Sequence, residues 1–133
     1  MGDLHQLTDL QLAIMRALWQ RNTTVADITS ALEPERRLAP TTVATLLRRL
    51  EARGLVRHRT RGRQFVFEAT VPEQEVRDSM VGDLTDTLFG GSAGALVSHL
   101  LTEHDIAPGD LARVKQLIAS HEARARKENG DAR

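Results

Sequence analysis

Apolar residues recur at helical spacing along most of the chain and alternate with polar ones over one short stretch. Residues 8–21, TDLQLAIMRALWQR, place Leu12, Met15, Leu18 and Trp19 on one side of a first helix. Thr8 stands at its N-cap position, Asp9 falls in its first turn, and Leu7 is set to staple onto Leu12. Thr23-Thr24-Val25 reads as a brief extended segment, and VADITSALEPE follows as a second helix with Val25, Ile28 and Leu32 in register and Pro34 at its end. A third helix occupies residues 39–55. Pro40 opens it, Val43, Leu46, Leu47 and Leu50 form its apolar stripe, and Gly54 closes it with the residue that best adopts a left-handed conformation. Its other face carries Thr41, Ala44, Thr45, Arg48, Arg49 and Ala52, without an acid.

Beyond Gly54 the period changes from helical to two. LVRHRT and RQFVFEAT alternate β-branched or aromatic residues with polar ones, and Thr60-Arg61-Gly62-Arg63 lies between them as a turn, so a basic-tipped hairpin is predicted. Pro72 marks a boundary and stands at the N1 position of a fourth helix, whose stripe of Val76, Met80, Leu84, Leu88 and Phe89 stops at Gly90-Gly91. Two more helices follow. One spans roughly residues 93–103 with Leu96, Val97, Leu100 and Leu101; the other starts after Pro108 with Leu111, Val114, Leu117 and Ile118, then frays into a polar tail. Three helices leading into a basic hairpin make a winged helix-turn-helix, in which the third helix enters the DNA major groove and the hairpin reaches backbone or minor groove. The expected fold is therefore mainly α with a small β-hairpin: a winged helix-turn-helix domain at residues 1–71 and a helical dimerisation domain with a polar tail at residues 72–133. Three short helices cannot close a core alone, so their stripes are expected to meet a second copy, the alternative being packing onto the N-terminal domain of the same chain.

Charge sharpens this picture. The chain of 133 residues has a net charge of zero, yet residues 1–70 hold 11 Lys and Arg against 7 Asp and Glu, and residues 71–133 hold 7 against 11. Between residues 36 and 63, nine arginines face the single acid Glu51. Arginine without lysine favours forked contacts to phosphate and base edges, and threonine can meet a thymine methyl or a base edge. The composition is that of a soluble globular chain, with no run of about twenty apolar residues to span a bilayer and an N-terminus too polar for a secretory signal, so a cytoplasmic location is expected. The absence of cysteine removes disulfides, thiol nucleophiles and thiolate metal sites.

The chain resembles the penicillinase-repressor (BlaI/MecI) family over nearly its whole length. LTDLQLAIMRALW, TVADITSAL, APTTVATLLRRLEARGLV, QFVFEA and LFGGSAGALVSHLL carry the resemblance, together with the spacing between them. It implies a homodimeric DNA-binding transcriptional repressor on an inverted-repeat operator. It also implies that Thr41, Thr42, Thr45 and Arg48 lie in the recognition helix and Arg61 and Arg63 in the wing; Arg49 shares the basic face of the helix. The dimer interface is expected at Met80, Leu84, Leu88, Leu96, Leu100, Leu111, Val114 and Ile118. Well-known members of that family are released when a membrane-bound sensor triggers cleavage of an Asn-Phe bond. The matching pair here is His99-Leu100, a candidate cleavage or switch region without the Asn-Phe chemistry. The competing function is a winged-helix interaction module that turns its arginine surface to an acidic protein.

Two further motifs are weighed against plainer readings. Gly90-Gly91-Ser92-Ala93-Gly94 matches the G-x-S-x-G nucleophile elbow, but that motif needs a strand-to-helix turn in a large sheet, so Ser92 reads as a helix cap and no catalytic set is expected. His99 and Glu103 stand four residues apart with His104 next, yet adjacent residues cannot both face one ion on a helix, so no metal or other cofactor is expected. His58, among the wing arginines, fits either a phosphate contact or a half-buried strand position.

Overall fold

The computed structural model describes residues 6–131. Residues 1–5, which include His5 and the start of the polar stretch MGDLHQLTD that argues against a secretory signal, lie outside the described residues. The order is α1 (Asp9–Trp19), α2 (Val25–Leu32), α3 (Pro40–Ala52), β1 (Val56–Arg61), β2 (Gln64–Ala69), α4 (Glu73–Phe89), α5 (Ala93–Glu103) and α6 (Pro108–Asp131). The chain divides into two compact units, Met1–Gly91 and Ser92–Arg133.

In the first unit the helices start where their capping chemistry stands. Thr8 accepts from the Gln11 backbone N–H while the Gln11 side chain accepts from the Thr8 N–H, a complete capping box. Thr24 caps α2 by accepting from Asp27. α3 has no side-chain cap and relies on Pro40 in its first turn. Pro72 is the N-cap of α4 rather than its first helical residue, and α2 stops at Leu32, before the Pro34 ring could clash with its backbone.

The core of this unit is wholly aliphatic apart from Met15 and Phe67. Ile14, Met15 and Leu18 of α1, Ile28 and Leu32 of α2, and Val43, Leu46, Leu47 and Leu50 of α3 meet Leu55, Val56, Phe67, Val71 and Val76. Trp19 packs against this cluster half-buried and donates its Nε1–H to the Val71 carbonyl at 3.0 Å, which ties the end of α1 to the segment leading into α4. Val76 and Met80 bring the first half of α4 onto the same core, so the compact unit reaches Gly91. Gln6 adds a hydrogen bond to Asp83 of α4.

β1 and β2 pair antiparallel from Val56 opposite Ala69 to Arg61 opposite Gln64. The turn is the two-residue Gly62-Arg63, tighter than the four-residue turn expected; Thr60 and Arg61 belong to the strand, and Gly62 at φ 64° supplies the positive dihedral. The Phe67 N–H donates to the Thr23 carbonyl at 2.8 Å, so the extended segment between α1 and α2 lies along β2.

In the second unit Ser92 caps α5 by accepting from the Ala95 N–H at 3.0 Å. α6 runs on through the polar tail to Asp131 instead of fraying, because Ala, Arg, Lys and Glu are strong helix formers with or without an apolar stripe. None of the described side chains of residues 92–130 is buried.

Candidate nucleic-acid interface

α3 turns its aliphatic stripe fully inward, with Val43, Leu47 and Leu50 at 0% exposure, and this orientation fixes what it presents to solvent. Thr41, Thr42, Thr45, Arg48 and Arg49 are all exposed. Thr41, Thr42, Thr45 and Arg49 frame one shallow hollow floored by Leu46. The Thr45 hydroxyl donates to the Thr41 carbonyl at 2.9 Å, so it offers its oxygen lone pairs and methyl group outward while its proton stays on the helix.

The hairpin register sorts the wing into two faces. Val56, His58, Thr60, Phe65, Phe67 and Ala69 share the face that reaches the core, and Arg57, Arg59 and Arg61 line the other opposite Glu68, Val66 and Gln64. Arg57 is committed to Glu68 at 2.6 Å. Among the described residues, Arg48, Arg49, Arg59, Arg61 and Arg63 form no ion pair, so their guanidinium groups are available to an anion. Arg63 lies beside the start of α2, where Thr24, Val25, Ala26, Gln64 and Phe65 complete a second hollow. The structure thus gathers the predicted α3 residues on one helix face and places Arg61 and Arg63 at the end of the hairpin, with Arg63 toward α2.

The lone acid of the basic stretch is occupied. Glu51 takes the His58 backbone N–H at 3.2 Å and the His58 ring Nδ1 at 2.7 Å, joining the last turn of α3 to β1. The imidazole stacks on Phe65 with centroids 4.4 Å apart. His58 is thus exposed as a residue yet engaged by Glu51 and Phe65, and among the described residues Glu51 forms no ion pair with an arginine. Arg59 joins Arg61 on the arginine face of the hairpin beyond the predicted site residues, and its alternation with Arg57 and Arg61 is visible in the sequence.

Elsewhere the predicted residues are exposed or half-buried in the single chain. Met80, Leu96, Leu111 and Val114 are half-buried, while Leu84, Leu88, Leu100 and Ile118 are 43%, 67%, 42% and 47% exposed. His99 and Leu100 lie inside α5, and the Leu100 carbonyl accepts from the His104 N–H, so the peptide bond between them sits in regular helix.

A family model described as penicillinase repressor matches residues 7–120. A 16.5 kDa protein of Latilactobacillus sakei is 27% identical over 122 residues, covering 91% of this chain and 84% of that one. The penicillinase repressor of Bacillus licheniformis is 21% identical over 125 residues, 93% of this chain and 98% of that one. The solution structure of the DNA-binding domain of the repressor BlaI is 26% identical and covers 56% of this chain and 93% of that domain, with a TM-score of 0.48.

Proposed function

Because the chain belongs to the penicillinase repressor family, we propose that it represses transcription as a homodimer seated on an inverted-repeat operator in double-stranded DNA. The chain is a DNA-binding repressor rather than an enzyme, as its family is. The observation that carries the finer reading is the coincidence, on one compact unit, of an acid-free Thr and Arg face on α3 with unpaired arginines on the hairpin. α3 enters the major groove. There Thr41, Thr42, Thr45 and Arg48 read base edges, and Arg49, Arg61 and Arg63 take phosphates or the adjacent minor groove. Release of condensed counterions supplies most of the affinity, and base-edge contacts supply the choice of sequence.

The dimerisation role of residues 72–133 is supported by the apolar side chains that the single chain leaves exposed, among them Leu88 and Leu117 at 67% and 63%. Among the described residues no helix is long and apolar enough to cross a membrane, and the proposed place of action is the cytoplasm. The releasing signal is unassigned. A protease acting at His99-Leu100 would have to unwind α5 to reach an extended substrate, and the Asn-Phe pair is absent there.

The test is a fluorescence-polarisation titration of the intact chain on the DNA upstream of its own coding region, at moderate salt and with scrambled duplex as competitor. Specific retention with a palindromic footprint is expected. Equal affinity for matched and scrambled duplexes would sink operator reading and favour an acidic protein as the partner of the arginine surface.

A further inference from the structure

A cavity of about 200 Å³ opens between α1 and the first half of α4. Its walls are apolar: Leu12 and Trp19 from one helix, Val76, Met80 and Val81 from the other. The Trp19 ring is held in place before any ligand arrives, because its Nε1–H is bonded to the Val71 carbonyl. An apolar cavity of about 150 Å³ is enough to take a benzene ring, so this one has room for a single ring and one small substituent.

The rim supplies the sign of that substituent. Arg77 and Glu73 neutralise each other across one turn of α4 at 3.4 Å. Arg16, on the opposite side, is exposed and has no ion-pair partner among the described residues. A cation would be repelled there, whereas a carboxylate matches the forked donors of the guanidinium better than water or a neutral group does.

We propose that this cavity is a binding site for a small single-ring aromatic carboxylate, its ring between Trp19 and Met80 and its carboxylate on Arg16. The site stands apart from the α3 and hairpin surface, and it is tested without DNA, so failure here leaves the repressor reading untouched.

Trp19 is the single tryptophan of the chain, so its emission reports on the cavity directly. The intact protein is titrated with benzoate while tryptophan fluorescence is followed, and calorimetry gives the stoichiometry. A saturable change at one benzoate per chain is expected. Arg16→Gln should weaken it by about tenfold or more with an unchanged circular dichroism spectrum, and benzyl alcohol should bind the native chain more weakly by a similar factor. Val81→Phe, at a position 47% exposed where added bulk does not disturb the core, should abolish the response by filling the space. The proposal is overturned by a non-saturable response, by undiminished binding in Arg16→Gln, or by benzyl alcohol binding as well as benzoate. It is equally overturned if tryptophan emission already changes with protein concentration alone and benzoate adds nothing, which would mean that a second copy fills the cavity.

Discussion

At residue scale, α1 and α3 end in the same closure with different chemistry at its tightest point. In α3 the Leu55 N–H reaches the Leu50 carbonyl and the Gly54 N–H the Glu51 carbonyl, with Gly54 at φ 81°; in α1 Asn22 reaches Ala17 and Arg21 reaches Leu18, with Arg21 at φ 72°. Both are Schellman motifs, but a side chain at the left-handed position is disfavoured by roughly 1 kcal/mol. Arg21→Gly is therefore expected to raise the unfolding free energy by up to about 1 kcal/mol, read from urea titration. Gly54→Ala should lower it by about 1 kcal/mol, the loss being confined to backbone strain because a Cβ there would meet nothing within 4 Å. Gly54 announces its conformation in the sequence; Arg21 does not, since no feature of an arginine side chain foretells a positive φ. Glu51 was equally hard to read. It looks like an interruption of a basic face, and its role as the link to His58 depends on a corner between helix and strand that no periodicity describes. Glu51→Ala should cost up to about 1 kcal/mol of stability, because the His58 backbone N–H and ring both lose their acceptor.

At the scale of elements, the proposed work of binding divides between α3 and the hairpin. Arg61, at the end of β1 and without an ion pair among the described residues, should act on phosphates. Arg61→Ala is expected to weaken all duplexes alike and to reduce the slope of log affinity against log salt by about 1. Arg48→Ala and Thr45→Val should instead change the ranking of half-site variants by about 1 to 3 kcal/mol per base contact, measured by quantitative shift assays on an operator panel. Uniform losses across the panel would remove these two residues from base readout. The elements themselves were largely legible. The stripes of α1, α2 and α3 and the caps at Thr8, Thr24 and Ser92 can be read from spacing and residue type, because burial on one face and unsatisfied backbone at helix starts impose local patterns. Turn length and helix ends were less so. Thr60 and Arg61 suit a loop as well as a strand and are drawn into β1 by pairing with Phe65 and Gln64. The tail of α6 has no stripe to mark it, yet its residue types sustain a helix.

At the scale of the whole molecule, the leucines left uncovered in a single chain make the proposed dimer testable. Leu88→Glu and Leu117→Glu alter positions 67% and 63% exposed, so neither should disturb the fold of one chain. Both are expected to shift sedimentation equilibrium toward monomer. They should also weaken binding to a full palindrome by well over tenfold while leaving half-site affinity nearly unchanged, since two linked sites gain from effective concentration and one does not. A retained dimer in both variants would move the interface elsewhere. The contact between Glu51 and His58 then bears on timing. Because it ties the hairpin to α3 in the free protein, a chain binding DNA as proposed would meet the duplex with both arms already set, and little motion would have to be frozen on arrival. Cutting that link leaves every arginine in place and so should spare the choice of operator. What it should shorten is the dwell time on the proposed operator, as an unlatched hairpin would let go of phosphates first.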